Sequence, residues 1–290
     1  MDVRTDLALE RSETFGENLP EGVHCMTQDG ENMHITRITV ENENGARALG
    51  KPIGTYITVE VPPFKRNAQF ADAMIGCIAD ELRTLLPPEG TVLVAGLGND
   101  EITPDALGPK FSSLVFATRH IGKELADSAG LGHLRPVVNL IPGVLGKTGM
   151  ETGELLRGAV ETVQPAAVIT VDALAARRLS RLGCTVQMSD TGVTPGSGVG
   201  NARAELSRES LGVPVIAVGV PTVVDAATMV CDLSGETQPS EVLLREGADM
   251  MITPREIDLV IERAARLLAL SVNQALQPHL SPEEILMLVS

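Results

Sequence analysis

Apolar residues follow two rhythms along this chain, and the alternation between them predicts a layered α/β protein. Short runs that are apolar at nearly every position read as strands buried on both faces: TVLVAGLG (91–98), RPVVNLIPG (135–143), AAVITVDAL (166–174), VPVIAVGVP (213–221) and the shorter CTVQMSD (184–190). Helical spacing separates them. It covers 68–86, a helix from about Leu107 with Pro109 in its first turn, ETGELLRGAVETV (151–163), a helix begun by ATMVCDL (227–233), an amphipathic helix over 255–277 and a short one over 281–289. Strands alternating with helices predict a three-layer fold, a mostly parallel central sheet with helices on both faces. Upstream, MHITRITV (33–40) and GTYITVEV (54–61) alternate and are rich in β-branched residues, so they predict a small N-terminal β extension joined by ENENGARALGK. Residues 1–32 are polar and weakly periodic and read as a loosely packed arm. The pattern describes a single domain over 1–290, with arm and β-hairpin over 7–65.

Composition narrows the core and the partners. Of 290 residues 43% are hydrophobic but only 2% aromatic, with one Tyr (Tyr56) and no Trp, so Ala, Val, Leu, Ile and Met must fill the interior. A net charge of −15 argues against nucleic acid or an anionic membrane as direct partner. Arg177, Arg178 and Arg181 are the best candidates for a local basic groove; the plainer reading is a solvated helix face. Four widely spaced cysteines without a CxxC pair suit reduced, mostly buried thiols in a cytosolic protein rather than a disulfide frame or a zinc site. The opening MDVRTDLALERSE lacks the apolar core of a signal peptide, and no apolar run approaches the ~20 residues that cross a bilayer.

Candidate chemistry gathers at strand ends. In TVLVAGLGNDEITPDALGP (91–109) a strand runs into a glycine turn, but Glu101 stands where a dinucleotide fingerprint needs its third glycine, and no G-K-[ST] follows. The loop instead sets Asp105 just past the strand's carboxyl end, where a capping role is the simple alternative. VITVDALAAR (168–177) repeats the arrangement with Asp172. If the two strands are neighbours, the carboxylates converge, one keeps a proton, and the pair can activate water and protonate a leaving amine, or bind a divalent metal. SDTGVTPGSGVGN (189–201) adds Asp190, Thr191, Gly196 and Ser197 in a Gly-rich stretch, either a backbone-lined peptide cleft or a structural loop. His120, in ATRH, is the histidine best placed to act, or simply complements a helix end.

These stretches carry a resemblance. RTDLALE (4–10), GLGNDEITPDALGP (96–109), ATRH (117–120), IPGVLGKTGMET (141–152), VDALAAR (171–177), SDTGVTPGSGVGN (189–201), LGVPVIAVGVPTVVDA (211–226) and MITPREID (251–258) resemble, in order, the spore germination proteases. The resemblance implies an endopeptidase of the spore core or forespore cytoplasm that degrades small acid-soluble spore proteins and forms a homotetramer. It implies a fold similar to hydrogenase-maturation endopeptidases, catalysis by Asp105 and Asp172, and supporting roles around Asn99, Thr103, His120, Asp190, Thr191, Gly196 and Ser197. The fold relatives bind metal with a later-loop His. Residues 190–198 hold none, so the expectation is no cofactor and a metal-free, aspartic-type mechanism, with a metal-dependent peptidase or a non-catalytic homologue as alternatives. The family also removes its own N-terminal segment and cuts after an acid, before a hydrophobic residue followed by Ala. Thr5-Asp6-Leu7-Ala8-Leu9-Glu10 has that form, so residues 1–6 read as a short propeptide cleaved between Asp6 and Leu7. Against the family pattern, the segment 231–250 is short, and three residues precede RTDL.

Overall fold

The computed structural model describes residues 5–16, 18–66, 70, 72–200, 203–235 and 250–289. Residues 1–4 of the expected propeptide, the start of the 68–86 helix and most of the short 231–250 segment lie outside them.

Among the described residues nine strands form one sheet: β1 (Val23–Gly30), β2 (Met33–Val40), β3 (Gly54–Glu60), β4 (Val92–Gly96), β5 (Val137–Leu140), β6 (Ala167–Ala176), β7 (Thr185–Ser189), β8 (Val215–Asp225) and β9 (Met251–Ile252). Their spatial order is β1-β2-β3-β7-β8-β6-β4-β5, with β9 paired to β8. The run β8-β6-β4-β5 is parallel, and β7, β3, β2 and β1 continue it antiparallel. The N-terminal hairpin is therefore part of the sheet, because β3 pairs directly with β7. The helices are α1 (Ala8–Ser12), α2 (Glu43–Leu49), α3 (Asp72–Leu85), α4 (Leu107–Ser112), α5 (Lys123–Ser128), α6 (Leu145–Thr148), α7 (Thr152–Val163), α8 (Arg208–Leu211), α9 (Ala226–Ser234), α10 (Ile257–Leu276) and α11 (Pro282–Val289).

The two faces of the sheet are covered differently, and this creates the site. On one face α3, α4, α10 and α11 bury a continuous core against Ile57, Val59, Val92, Val94, Ile169, Val171, Ile216 and Val218. On the other face there are two separate covers. Leu156 and Val160 of α7 and Leu211 of α8 pack on Leu93, Ala95 and Val168. Ala8 and Leu9 of α1 and Leu49 of α2 pack on Ile38, Val40 and Tyr56. Between the covers, β6, β7 and β8 present Thr170, Asp172, Gln187, Ser189 and Gly219 to a cleft. Polar residues interrupt otherwise apolar strands here because, among the described residues, neither cover packs on this strip of sheet.

Several expectations change. Residues 5–32 are not a loose arm: Leu7 and Ala8 are fully buried, and Val23–Gly30 is an edge strand. That strand escaped the pattern because seven of its eight residues are exposed, leaving no apolar alternation to read. The link ENENGARALGK contains α2, capped by Asn42 Oδ1 accepting the Gly45 N–H at 2.9 Å. Arg177, Arg178 and Arg181 follow β6 rather than lining a solvated helix, and Arg181 is buried against Glu13 and Glu60 at 2.5 and 2.7 Å. Of the four free cysteines only Cys231 is buried; Cys25 is exposed. ATRH lies in a turn, since α4 ends at Ser112.

Candidate active site

Strands β4 and β6 are parallel neighbours, with Gly96 opposite Val171, so their carboxyl ends open at one level. The Leu97 N–H donates to the Val171 carbonyl at 2.8 Å and carries the pairing one residue beyond β4. The chain then reverses at Gly98, whose φ of +111° and the Asp105 carbonyl pressed against its Cα leave no place for a side chain. The turn Thr103–Asp105 returns the chain, and Asp105 Oδ2 accepts the Asn99 N–H at 2.8 Å. Asp105 thus closes its own loop and does not cap α4. Thr222 Oγ1 anchors the turn from β8 by donating to the Pro104 carbonyl at 2.9 Å. Asp172, 7% exposed, accepts the N–H of Ala173 at 2.8 Å through Oδ1.

Both carboxyls line one cleft of about 760 Å³. Burial, reinforced by the charge of Asp105 and then of Asp6 and opposed by the Ala173 N–H, pushes the Asp172 carboxyl up to about 8. Burial also raises Asp105 above the ordinary carboxyl value, against the pull of the Asn99 N–H. At neutral pH the pair therefore keeps a proton, and Asp172 is its favoured holder.

The N-terminal segment reaches this cleft at Asp6. The Asp6 N–H donates to the Ala175 carbonyl at 3.0 Å. The Asp6 carboxylate accepts the Ala175 N–H at 2.8 Å and the Ser197 hydroxyl at 3.0 Å. A Cβ at Gly198 would overlap that carboxylate. The Asp6 carbonyl accepts Lys51 Nζ at 2.8 Å and Gln187 Nε2 at 2.9 Å, while Gln187 Oε1 accepts the Ala8 N–H at 2.8 Å. One glutamine amide thus brackets the Asp6–Leu7 peptide bond. The Leu7 N–H turns to Thr5 Oγ1 at 3.0 Å, and its side chain is fully buried among Leu174, Ala176 and Leu182. Beyond it the Glu10 carboxylate accepts the N–H groups of Arg177 and Arg178 at 2.7 and 2.9 Å. Burial raises Glu10 above its ordinary value, with those donors and Thr5 opposing.

The structure brings most of the expected residues together. Asn99, Asp105, Asp172, Thr191, Gly196, Ser197 and Asp6 line the cleft. Thr103 supports the Asp105 turn by accepting the Ala106 N–H at 3.1 Å. Asp190 is exposed and holds the start of β3, accepting the Thr55 N–H at 2.7 Å. His120 is elsewhere: the preceding Thr118 and Arg119 pair with Val137 at the amino end of β5, so it sits at the opposite edge of the sheet from the cleft. Lys51 and Gln187 were not singled out by sequence. Gln187 did carry a signal, a lone amide inside the strand CTVQMSD; Lys51, in a linker, carried none.

The cleft was tested as a metal site by its donor set. Among the described residues no group of three or more His, Cys, Asp or Glu side chains is arranged to hold an ion. Asp105 and Asp172 each already spend one oxygen on a backbone N–H. Among the described residues the cleft therefore lacks the three-ligand set of a usual resident metal site.

The germination protease family profile matches residues 4–235. A germination protease of Clostridium acetobutylicum is 42% identical over 320 aligned positions, covering 98% of each chain. One from Caldanaerobacter subterraneus subsp. tengcongensis is 42% identical over 316, covering 98% of this chain and 97% of its own. Among solved structures, the NiFe hydrogenase maturation protease HycI from Thermococcus kodakarensis KOD1 aligns over 66% of this chain and 98% of its own, with 18% identity and a TM-score of 0.37. No helix among the described residues is long and apolar enough to cross a membrane. Matched by the family profile over most of its length and by curated relatives from end to end, the chain belongs to the germination protease family.

Proposed function

We propose that this chain is a self-processing endopeptidase that cuts small acid-soluble spore proteins, with Asp105 and Asp172 carrying the reaction. What carries the reading is that Asp6, the residue before the Asp6–Leu7 bond, lines the same cleft as both carboxyls. Asp105 is the general base and takes a proton from water. The water oxygen bonds to the Asp6 carbonyl carbon, and the carbonyl electron pair moves onto its oxygen. When that intermediate collapses the C–N bond breaks, and Asp172, which holds the proton at neutral pH, gives it to the Leu7 nitrogen. The pair carries one proton before the reaction, two while the intermediate lasts and one afterwards, which ends on Asp105.

Selectivity follows from the same contacts. The acid before the bond is met by the Ala175 N–H and Ser197. The hydrophobic residue after it fills the Leu174–Ala176–Leu182 pocket, and full burial of Ala8 leaves room only for a small side chain next. The test is cleavage of a small acid-soluble spore protein and of a synthetic peptide containing Thr-Asp-Leu-Ala-Leu-Glu, mapped by mass. A single cut between Asp and Leu, slowed at least tenfold by an Asn in place of that Asp, supports the reading. Cutting at other bonds, or none, contradicts it.

A further inference from the structure

Two acids account for the proton transfers at the scissile bond but not for the negative charge that develops on the attacked carbonyl oxygen. We propose that Lys51 and Gln187 form the hole that stabilises this charge. This inference rests on the Asp105–Asp172 reading above and adds the electrophilic half of the site.

The Asp6 carbonyl oxygen has two donors at hydrogen-bond distance, Lys51 Nζ and Gln187 Nε2. They come from different elements, the turn after α2 and the middle of β7. The sheet register sets Asp172 opposite Gly219, and Gly219 opposite Gln187. Asp172 and Gln187 therefore share a face two strand spacings apart, roughly 10 Å between Cα atoms. The residue between them is Gly219, and the Leu174 side chain, against which Leu7 packs, fills the space a Cβ there would take. Asp6 pairs with Ala175 of β6, and its carbonyl reaches Gln187 of β7. The glutamine cannot rotate freely, because its Oε1 is held by the Ala8 N–H. Lys51 is fixed by its surroundings: α2 ends at Gly50 with φ +68°, and the Pro52 carbonyl accepts the Tyr56 hydroxyl at 2.8 Å. A cationic donor preplaced at the carbonyl oxygen is worth more to a developing oxyanion than to a neutral carbonyl, so its benefit falls on the transition state. Burial lowers the Lys51 pKa, with Arg11 adding to it and the charges of Asp6 and Glu10 opposing.

The competing role is a tether, in which Lys51 merely keeps residues 5–10 in the cleft. Two readouts on the full chain separate the roles. One is the first-order rate of self-cleavage, followed by mass. The other is steady-state cleavage of an added peptide containing Thr-Asp-Leu-Ala-Leu-Glu. Lys51→Met should lower both rates by about 100-fold, the effect of losing one oxyanion donor, with the peptide KM within about threefold of the parent. Gln187→Leu should lower both at least tenfold, and Lys51→Arg should retain more activity than Lys51→Met. A tether predicts the opposite for the added peptide, since freeing the cleft leaves its cleavage unchanged or faster. A Lys51→Met kcat within threefold of the parent overturns the proposal. If Lys51→Met melts below the assay temperature, Lys51→Arg and Gln187→Leu decide alone, and a kcat within threefold for both overturns it. Parent activity surviving in Asp172→Asn would instead overturn the underlying acid pair, a separate result.

Discussion

Replacing Asp172 by Asn probes the cleft's electrostatics without any substrate. The amide has the same shape and can still accept the Ala173 N–H, but it carries no charge. In the folded protein the Asp172 carboxyl titrates near 8 instead of 3.8. Each pKa unit corresponds to about 1.4 kcal/mol, so leaving this group ionised in place costs roughly 6 kcal/mol. The sign follows from proton binding. Between pH 3.8 and about 8 the native state holds a proton that the unfolded chain has released. Native stability from this group is thus fully present below 3.8 and is lost progressively as pH rises to about 8. The loss runs at about 1.4 kcal/mol per pH unit, and the Asn variant lacks it. From pH 5 to pH 7 the stability of Asp172→Asn relative to its parent should therefore rise by about 3 kcal/mol. Urea unfolding of both proteins at pH 5, 6 and 7 measures this difference. Two stability curves that stay parallel within about 0.5 kcal/mol would refute the reasoning, because Asp172 would then ionise in the fold as easily as in water.

Other expectations follow from the same geometry. The proposed mechanism uses Asp105 ionised and Asp172 protonated, so kcat/KM should rise through a pH above the ordinary 3.8 of an aspartate and fall as Asp172 titrates near 8; a flat profile from pH 4 to 9 contradicts the assignment. Gly198→Ala should slow self-cleavage more than tenfold while the protein stays folded, because the added methyl group overlaps the Asp6 carboxylate and Ala175; unchanged processing by mass shows that Asp6 does not dock there. Protein stripped with a chelator and assayed in metal-free buffer should keep its activity under the metal-free reading; loss restored by a divalent ion would contradict that reading.

The sheet and the acids were legible because strands buried on both faces announce themselves as unbroken apolar runs. TVLVAGLG and AAVITVDAL became β4 and β6, and their shared carboxyl edge follows from being parallel neighbours. β6 and β8 run longer than predicted, to Ala176 and Asp225, because the cleft wall and the β9 pairing extend them past their apolar centres. What stayed hidden was long-range. Edge strand β1 has almost nothing buried to pattern it. Lys51 lies 45 positions from the Asp6 carbonyl it touches and Gln187 lies 181, and no local signal records such meetings. His120 showed the reverse error: a histidine near matching motifs sits at the far edge of the sheet because the turn bearing it packs on the start of β5.

The most direct test of the acid pair is the mass of the chain's own N-terminus over time, in the parent protein and in Asp105→Asn and Asp172→Asn. The parent should lose residues 1–6 and begin at Leu7, while both variants, folded by circular dichroism, keep an intact N-terminus over the same interval. A new terminus at Leu7 appearing in either variant at the parent's rate would contradict the account.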